Sequence, residues 1–337
     1  MRKPDYTQLL KVLKKQVPDR PTLFEFFLND DLYKLLNNGE APTRGDGYDR
    51  LRQLIYAFKN AGYDYVTAPA SEFAFPSIEQ DHKLTKSLNE GNSITDWASY
   101  ERYKWPSPAD YSTKQLETCA ADLPEGMKYV VNGPGGVLEN VIQLTGYDNL
   151  CGMIYDEPEL AMRIFDDIGS RLVEYYEQIV EMDSVCALIS NDDWGFKTQT
   201  MLSPTHMRQY VFPWHKKIVA VGHRHNKPVF LHSCGMLDEV MEDVIEDIGY
   251  DGKHSFEDVI MPIEAAYEEY KGRIALLGGI DVDFVCQATP EEIATRGRAM
   301  LERAQSTGGY ALGTGNSVPY YVPVKNYLAM IDVVRKG

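Results

Sequence analysis

The sequence predicts an α/β fold of the (β/α)8 barrel type, and three observations predict it. Eight short runs of strand-forming residues recur along the chain, most are followed by an amphipathic helical stretch, and polar residues gather at the C-terminal end of nearly every run. The 337 residues, 44% of them hydrophobic, are enough for one barrel domain over 1–337, with insertions accounting for the excess over about 250 residues. A doubly wound open sheet is the main rival, and a strand count of eight favours the barrel.

The first run is 23–28 (LFEFFL), preceded by a polar, helix-like N-terminal extension and followed by Asn29-Asp30-Asp31. A helix over 46–61, with Leu51, Leu54, Ile55 and Phe58 at helical spacing, leads to the second run at 63–70. Residues 72–127 are aromatic, charged and broken by Pro76, Pro106 and Pro108, and they read as an insertion with helices of its own. The third run, 128–132 (KYVVN), ends in Gly133-Pro134-Gly135-Gly136 and precedes a helical pair split near 147–152. Pro158 opens the next helix in the first turn, where its missing N–H costs nothing. That helix runs to 182 and leads to the fourth run, 185–190, which ends in Asn191-Asp192-Asp193-Trp194.

Ser203-Pro204 starts a helix reaching about 223, on whose surface or end His206, His215, His223 and His225 are expected to be solvated. The fifth run is 229–235 (VFLHSCG), followed by a helix at 236–248 with Leu237, Val240, Met241, Val244, Ile245 and Ile248 on one face. A sixth at 250–256 gives way to a helix at 258–271, and a seventh at 274–280 ends at Asp281. Thr289-Pro290-Glu291-Glu292 is a capping box with Pro at the first helical position. The eighth run, 310–314, precedes Gly315-Asn316 and a terminal helix from about Val324.

Charge excludes whole classes of partner. Thirty-four basic against fifty acidic residues give a formal net charge of −16, which repels nucleic-acid backbones and anionic lipid surfaces. The N-terminus has no apolar signal core and nowhere do about 18 uncharged apolar residues run together, so a cytoplasmic protein is expected. Five cysteines without framework spacing read as reduced thiols.

In a barrel, chemistry sits at the C-terminal strand ends, which directs attention to Asn29, Asp30, Ser71, Glu72, Asn132, Asn191, Asp192, Asp193, His232, Cys234, His254, Glu257, Asp281, Asp283, Thr314 and Asn316. His232 and Cys234 lie two apart, so in a strand both side chains share one face, and imidazole with thiolate is a donor pair that zinc prefers. Taken alone, the pair is half of a metal site or a packed structural pair. Lysines are scarce near the strand ends, with Lys197 and Lys253 the nearest, which argues against a Schiff-base or phosphate-gripping site.

The VFLHSCG run, the stretch 190–199 followed by Leu202-Ser203-Pro204, the segment 277–281 (LGGID) and Thr289-Pro290-Glu291-Glu292-Ile293 together resemble the uroporphyrinogen decarboxylase superfamily. Within it they look closest to the corrinoid-dependent methyltransferases that include methylcobalamin:coenzyme M methyltransferase. The resemblance covers residues 125–335 well and the first third loosely. It implies a barrel in which zinc, held by His-x-Cys and a second Cys on the last strand, serves methyl transfer between a small methylated compound or thiol and a corrinoid or corrinoid protein. A homodimer is also in keeping with it. His232 and Cys234 match the first two ligands, but Thr314 stands where the second Cys is expected. His254 is then the foremost replacement, with Asp193, Glu257 and Asp281 as others at the same rim. Asp192, Asp193 and Asp281 are the expected catalytic carboxylates, and Asn191, Asn132, Glu72, Thr314 and Asn316 the expected substrate contacts.

A metal-free decarboxylase of a porphyrinogen is the alternative the same resemblance allows, and a non-catalytic ligand-binding barrel is another. True decarboxylases of the superfamily grip their polyanionic substrate with an Arg-rich segment after the first strand. Here residues 26–33 contain no Arg. Each unneutralised carboxylate pair would then cost about a kcal/mol or more, which weighs against a substrate with eight carboxylates.

Overall fold

The computed structural model describes residues 2–77, 88–89 and 93–336 of the chain. Its centre is one parallel sheet of seven strands hydrogen-bonded in chain order. These are β1 (Tyr65–Pro69), β2 (Lys128–Asn132), β3 (Val185–Asn191), β4 (Val229–His232), β5 (Gly252–His254), β6 (Ala275–Leu277) and β7 (Tyr310–Ala311). Their residues are buried almost throughout, as expected of parallel strands covered on both faces.

The expected first strand, 23–28, is not a regular strand, and its pairing explains why. Phe24 donates its N–H to the Leu312 carbonyl (2.8 Å) and Leu312 donates to Thr22 (2.8 Å), a parallel bridge to the end of β7. On the side facing β1 a side chain does the pairing: the Tyr65 hydroxyl accepts from the Glu25 N–H (2.7 Å) and donates to the Glu25 carbonyl (2.8 Å). One hydroxyl thus satisfies both main-chain groups that a ladder would have used.

Strand ends fall short of the expected ones for local reasons. Ser255 adopts φ +83°, which stops β5 at His254, and Gly278 and Gly279 (φ +68° and +99°) stop β6 at Leu277. The capping box at Thr289 forms in both directions and opens the helix Pro290–Ala304. The helix expected over 236–248 becomes a 3-10 turn (Asp238–Val240) and a π turn (Asp243–Ile248), yet its six apolar residues are all buried as the pattern requires. Two short α-helices, Trp97–Arg102 and Lys114–Ala120, and a 3-10 turn, Pro108–Asp110, lie in the described part of the insertion, while 78–87 and 90–92 lie outside the described residues. Among the described residues no helix is long and apolar enough to cross a membrane.

Candidate metal centre at the ends of β3 and β4

The parallel pairing of β3 with β4 continues beyond the strands and assembles the site. Asn191 pairs with His232 in register. Past that point Asp192 donates its N–H to the His232 carbonyl (2.9 Å), Trp194 donates to Ser233 Oγ (3.1 Å), and Gly195 donates to the Cys234 carbonyl (3.2 Å). The loops touch so closely that a Cβ on Gly235, whose φ is +85°, would stand 2.1 Å from the Gly195 carbonyl oxygen. Within this zipper the Cys234 N–H donates to Asp193 Oδ1 (2.8 Å). The carboxylate of Asp193, the imidazole of His232 and the thiol of Cys234 therefore converge, with one donor atom from each lying within 4.8 Å of the others.

Hydrogen bonds behind the ring assign its tautomer. His254 Nε2 lies 3.2 Å from the Thr314 carbonyl, an acceptor only, so this nitrogen carries the proton. His254 Nδ1 is then the acceptor for His232 Nδ1–H at 2.7 Å. That leaves the lone pair of His232 Nε2 on the side of Cys234 Sγ, 4.0 Å away. Burial favours this neutral chain: it pushes His232 down to about 4 and His254 well below the ordinary histidine range.

Burial, reinforced by Asp193, pushes the Cys234 thiol up to about 12, while hydrogen bonds to Sγ from Ser255 Oγ (3.4 Å) and Asn316 Nδ2 (3.2 Å) act in the opposite direction. A half-buried sulfur supplied with two hydrogen-bond donors is suited to carry negative charge beside a cation. One oxygen, one neutral imidazole and one sulfur fit a zinc ion by type and number, and leave a position for substrate.

The other expected residues have different surroundings. His254 stands behind His232 as its hydrogen-bond partner. Thr314 is fully buried and its hydroxyl bonds Glu25 Oε1 (2.6 Å), away from the three donors. Asp192 accepts from the N–H groups of Leu138 (3.0 Å) and Glu139 (2.9 Å) and from His215 Nε2 (2.9 Å), so it caps the helix Val137–Thr145. His215, expected to be solvated, is completely buried, because Asp192, Tyr250 and Ser190 surround it with polar partners. Asp281 accepts from the N–H groups of Phe284 and Asp258, both at 2.9 Å, and caps the helix Val282–Gln287. Asn132 and Asn191 are half-buried at the ends of β2 and β3, Asn191 Oδ1 having no partner among the described residues, while Glu72 is exposed beyond β1.

Two residues of the rim escape sequence reasoning. Glu25 is wholly buried, and the sign of it in sequence is one carboxylate inside LFEFFL. Ser255 carries a strained backbone and a hydroxyl aimed at Cys234, and nothing in sequence marks either.

With this geometry in hand, comparisons with known proteins become informative. The family model described as Uroporphyrinogen decarboxylase (URO-D) matches residues 90–337. The uroporphyrinogen decarboxylase of Paraburkholderia phytofirmans is 23% identical over 211 residues, 62% of this chain and 53% of that protein. The one from Geobacter sulfurreducens is 23% identical over 211 residues, covering 62% and 56%. The chain thus spans about half the length of these curated relatives. Among solved structures, a methyltransferase from Methanosarcina mazei shares the fold with a TM-score of 0.72 over 98% of both chains at 15% identity.

Proposed function

Because this chain belongs to the uroporphyrinogen decarboxylase family, we propose that it is a zinc-dependent methyltransferase, moving a methyl group between a small methylated substrate or thiol and a corrinoid cofactor or corrinoid protein in the cytoplasm. It does so as one barrel domain over 1–337, with the 22–28 segment serving as the eighth stave between β7 and β1. The observation that carries the reading is the convergence of Asp193, His232 and Cys234. Its fold likeness to a methyltransferase supports the reaction class.

Asp193, His232 and Cys234 would hold the metal. Zinc bound there supplies a Lewis acid, and the corrinoid supplies a carrier for the methyl group. The chain's own residues set the conditions. His254 keeps the Nε2 lone pair of His232 available, Ser255 and Asn316 stabilise sulfur as it gains charge, and the interlocked loops hold Asp193 against the Cys234 amide. A carboxylate in place of a second thiolate leaves the metal harder, which suits an oxygen- or nitrogen-linked methyl donor better than an all-sulfur site would. Asn132 and Asn191, half-buried amides at adjacent strand ends, are the groups we assign to orienting the substrate.

The names of the curated relatives favour decarboxylation instead. Against it stand the Arg-free segment 26–33 and a net charge of −16. Elemental analysis of protein purified without chelator is expected to find stoichiometric zinc, lost in Cys234→Ala. Mixing the zinc-loaded protein with methylcobalamin and candidate acceptors should change the corrinoid absorbance in a zinc-dependent way. Absence of zinc from the wild type, or chelator-insensitive CO2 release from a tetrapyrrole, would overturn the proposal.

A further inference from the structure

The turn that ends β5 sets a problem for one peptide group. Ser255 is buried at φ +83°, and the conformation that aims its hydroxyl at Cys234 Sγ (3.4 Å) also rotates its carbonyl out of the parallel ladder. The groups on either side stay anchored. The His254 carbonyl accepts from the Ser233 N–H (3.2 Å), and the Phe256 N–H donates to the Gly315 carbonyl (2.9 Å). Between them, among the described residues, the Ser255 carbonyl has no main-chain donor. A buried carbonyl in that position is costly unless a side chain supplies the missing hydrogen.

Lys253 supplies it. Residues alternate across β5, so His254 faces the sheet interior beside His232 while Lys253 faces the helical layer. From there Nζ reaches along the strand and donates to the Ser255 carbonyl (2.5 Å). The side chain is buried, with Nζ 4.2 Å from the centre of the Phe256 ring, so the amine is held where the carbonyl needs it. An amine donates in either protonation state, and the contact therefore does not depend on charge. Met241 and Met261 line the same small cavity, and a third methionine would pack beside them, but it has no hydrogen to give.

We propose that Lys253 is a positioning residue for the metal centre, which by bonding the Ser255 carbonyl holds the left-handed turn that keeps the Ser255 hydroxyl on Cys234 Sγ. The inference rests on the reading of Asp193, His232 and Cys234 as zinc ligands. Without the amine, the Ser255 peptide gains by rotating toward an extended conformation, where a β-carbon meets no penalty and the carbonyl can turn to another donor. That rotation carries Oγ off the sulfur and leaves Asn316 Nδ2 (3.2 Å) as its remaining side-chain donor. Sulfur then bears negative charge less well, and the metal is held less tightly. The rival account is that Lys253 acts through space, its positive charge favouring the thiolate directly. The two differ in one respect: only the first needs the Ser255 hydroxyl.

A double-mutant cycle on the whole chain separates them, read by zinc affinity in competition with a chelating dye and by the sulfur-to-metal charge-transfer band of the cobalt(II)-substituted protein. Lys253→Met is expected to weaken zinc binding by about three- to tenfold, as Ser255→Ala does, and to move the cobalt band in the same direction. Combining the two substitutions should cost no more than either alone, within about twofold, because both remove the same hydrogen bond to sulfur. If methionine does not fold, Lys253→Gln runs the same cycle, with a polar end one bond short of the Ser255 carbonyl. Losses that multiply, or a position-253 variant that binds zinc as the wild type does, would overturn the proposal and leave the zinc site standing. A wild-type protein that takes up neither zinc nor cobalt would instead overturn the zinc reading, and this inference with it.

Discussion

Two walls of the same rim are built from similar residues and behave differently. Where β3 meets β4, Asp193, His232 and Cys234 leave donor atoms aimed at one another. Where the 22–28 segment meets the end of β7, Glu25 and Thr314 bond each other. The Thr314 hydroxyl contacts both Glu25 Oε1 and the Asn316 carbonyl, and with one proton it can donate to only one of them. Both contacts are satisfied if Glu25 is protonated and donates to Thr314, which donates onward. Burial pushes Glu25 up to about 8, in agreement with that chain. A polar residue at a strand end is therefore not a ligand by position alone. What distinguishes the first wall is the convergence of an oxygen, a nitrogen and a sulfur of metal-binding type within 4.8 Å of one another.

The largest expected effect tests that contrast directly. Asp193→Ala should weaken zinc binding by about 100-fold or more, whereas Thr314→Val should change it by less than about threefold, as read by competition with a chelating dye. Equal losses in the two variants would mean that Asp193 matters to the metal no more than Thr314 does, and would dissolve the distinction between the walls.

The first wall was half legible in the sequence. His232 and Cys234 announce themselves by strand spacing, and the order of strands and helices followed from periodicity and caps such as Thr289. The residue that joins His232 and Cys234 was not legible, because the choice between His254, Asp193, Glu257 and Asp281 depends on how the loop after β3 locks onto the loop after β4. His215 was misplaced for a similar reason. A single histidine between Trp214 and Lys216 carries no sign that Asp192, from another element, buries it. Glu25 and the irregular 22–28 segment depend on one hydroxyl of Tyr65, which composition cannot foretell.

A smaller effect sharpens the second wall through pH. With its folded pKa raised to about 8 from an ordinary value of 4.5, Glu25 keeps a proton that the unfolded chain sheds in that interval. Stability contributed by this residue therefore falls as pH rises from about 4.5 to 8 and is level above it. Glu25→Gln removes the titration while keeping the shape. The melting temperature of the variant relative to wild type should climb across that window, by an amount corresponding to roughly 2–5 kcal/mol. A constant difference between pH 5 and 8 would mean that Glu25 is ionised in the fold and that the closed proton chain does not exist.

The smallest effect lies at Ser255, where the first wall stores strain to place a hydroxyl. At φ +83° any residue with a β-carbon is unfavourable, and Ser255 accepts this with its Oγ 3.4 Å from Cys234 Sγ. Ser255→Ala removes the hydrogen bond and keeps the strain, whereas Ser255→Gly removes both. Glycine also adds freedom to the unfolded chain, which offsets part of the relief. The Gly variant should therefore exceed the Ala variant in unfolding free energy by about 1 kcal/mol, measured by urea denaturation of metal-free protein. Both should bind zinc several-fold less tightly than wild type, since sulfur loses a donor in each. If Ala proves as stable as Gly, the backbone at 255 is not strained. If zinc affinity is unchanged in both, the hydroxyl serves β5 and not the thiol, and the two walls differ less in purpose than their geometry indicates.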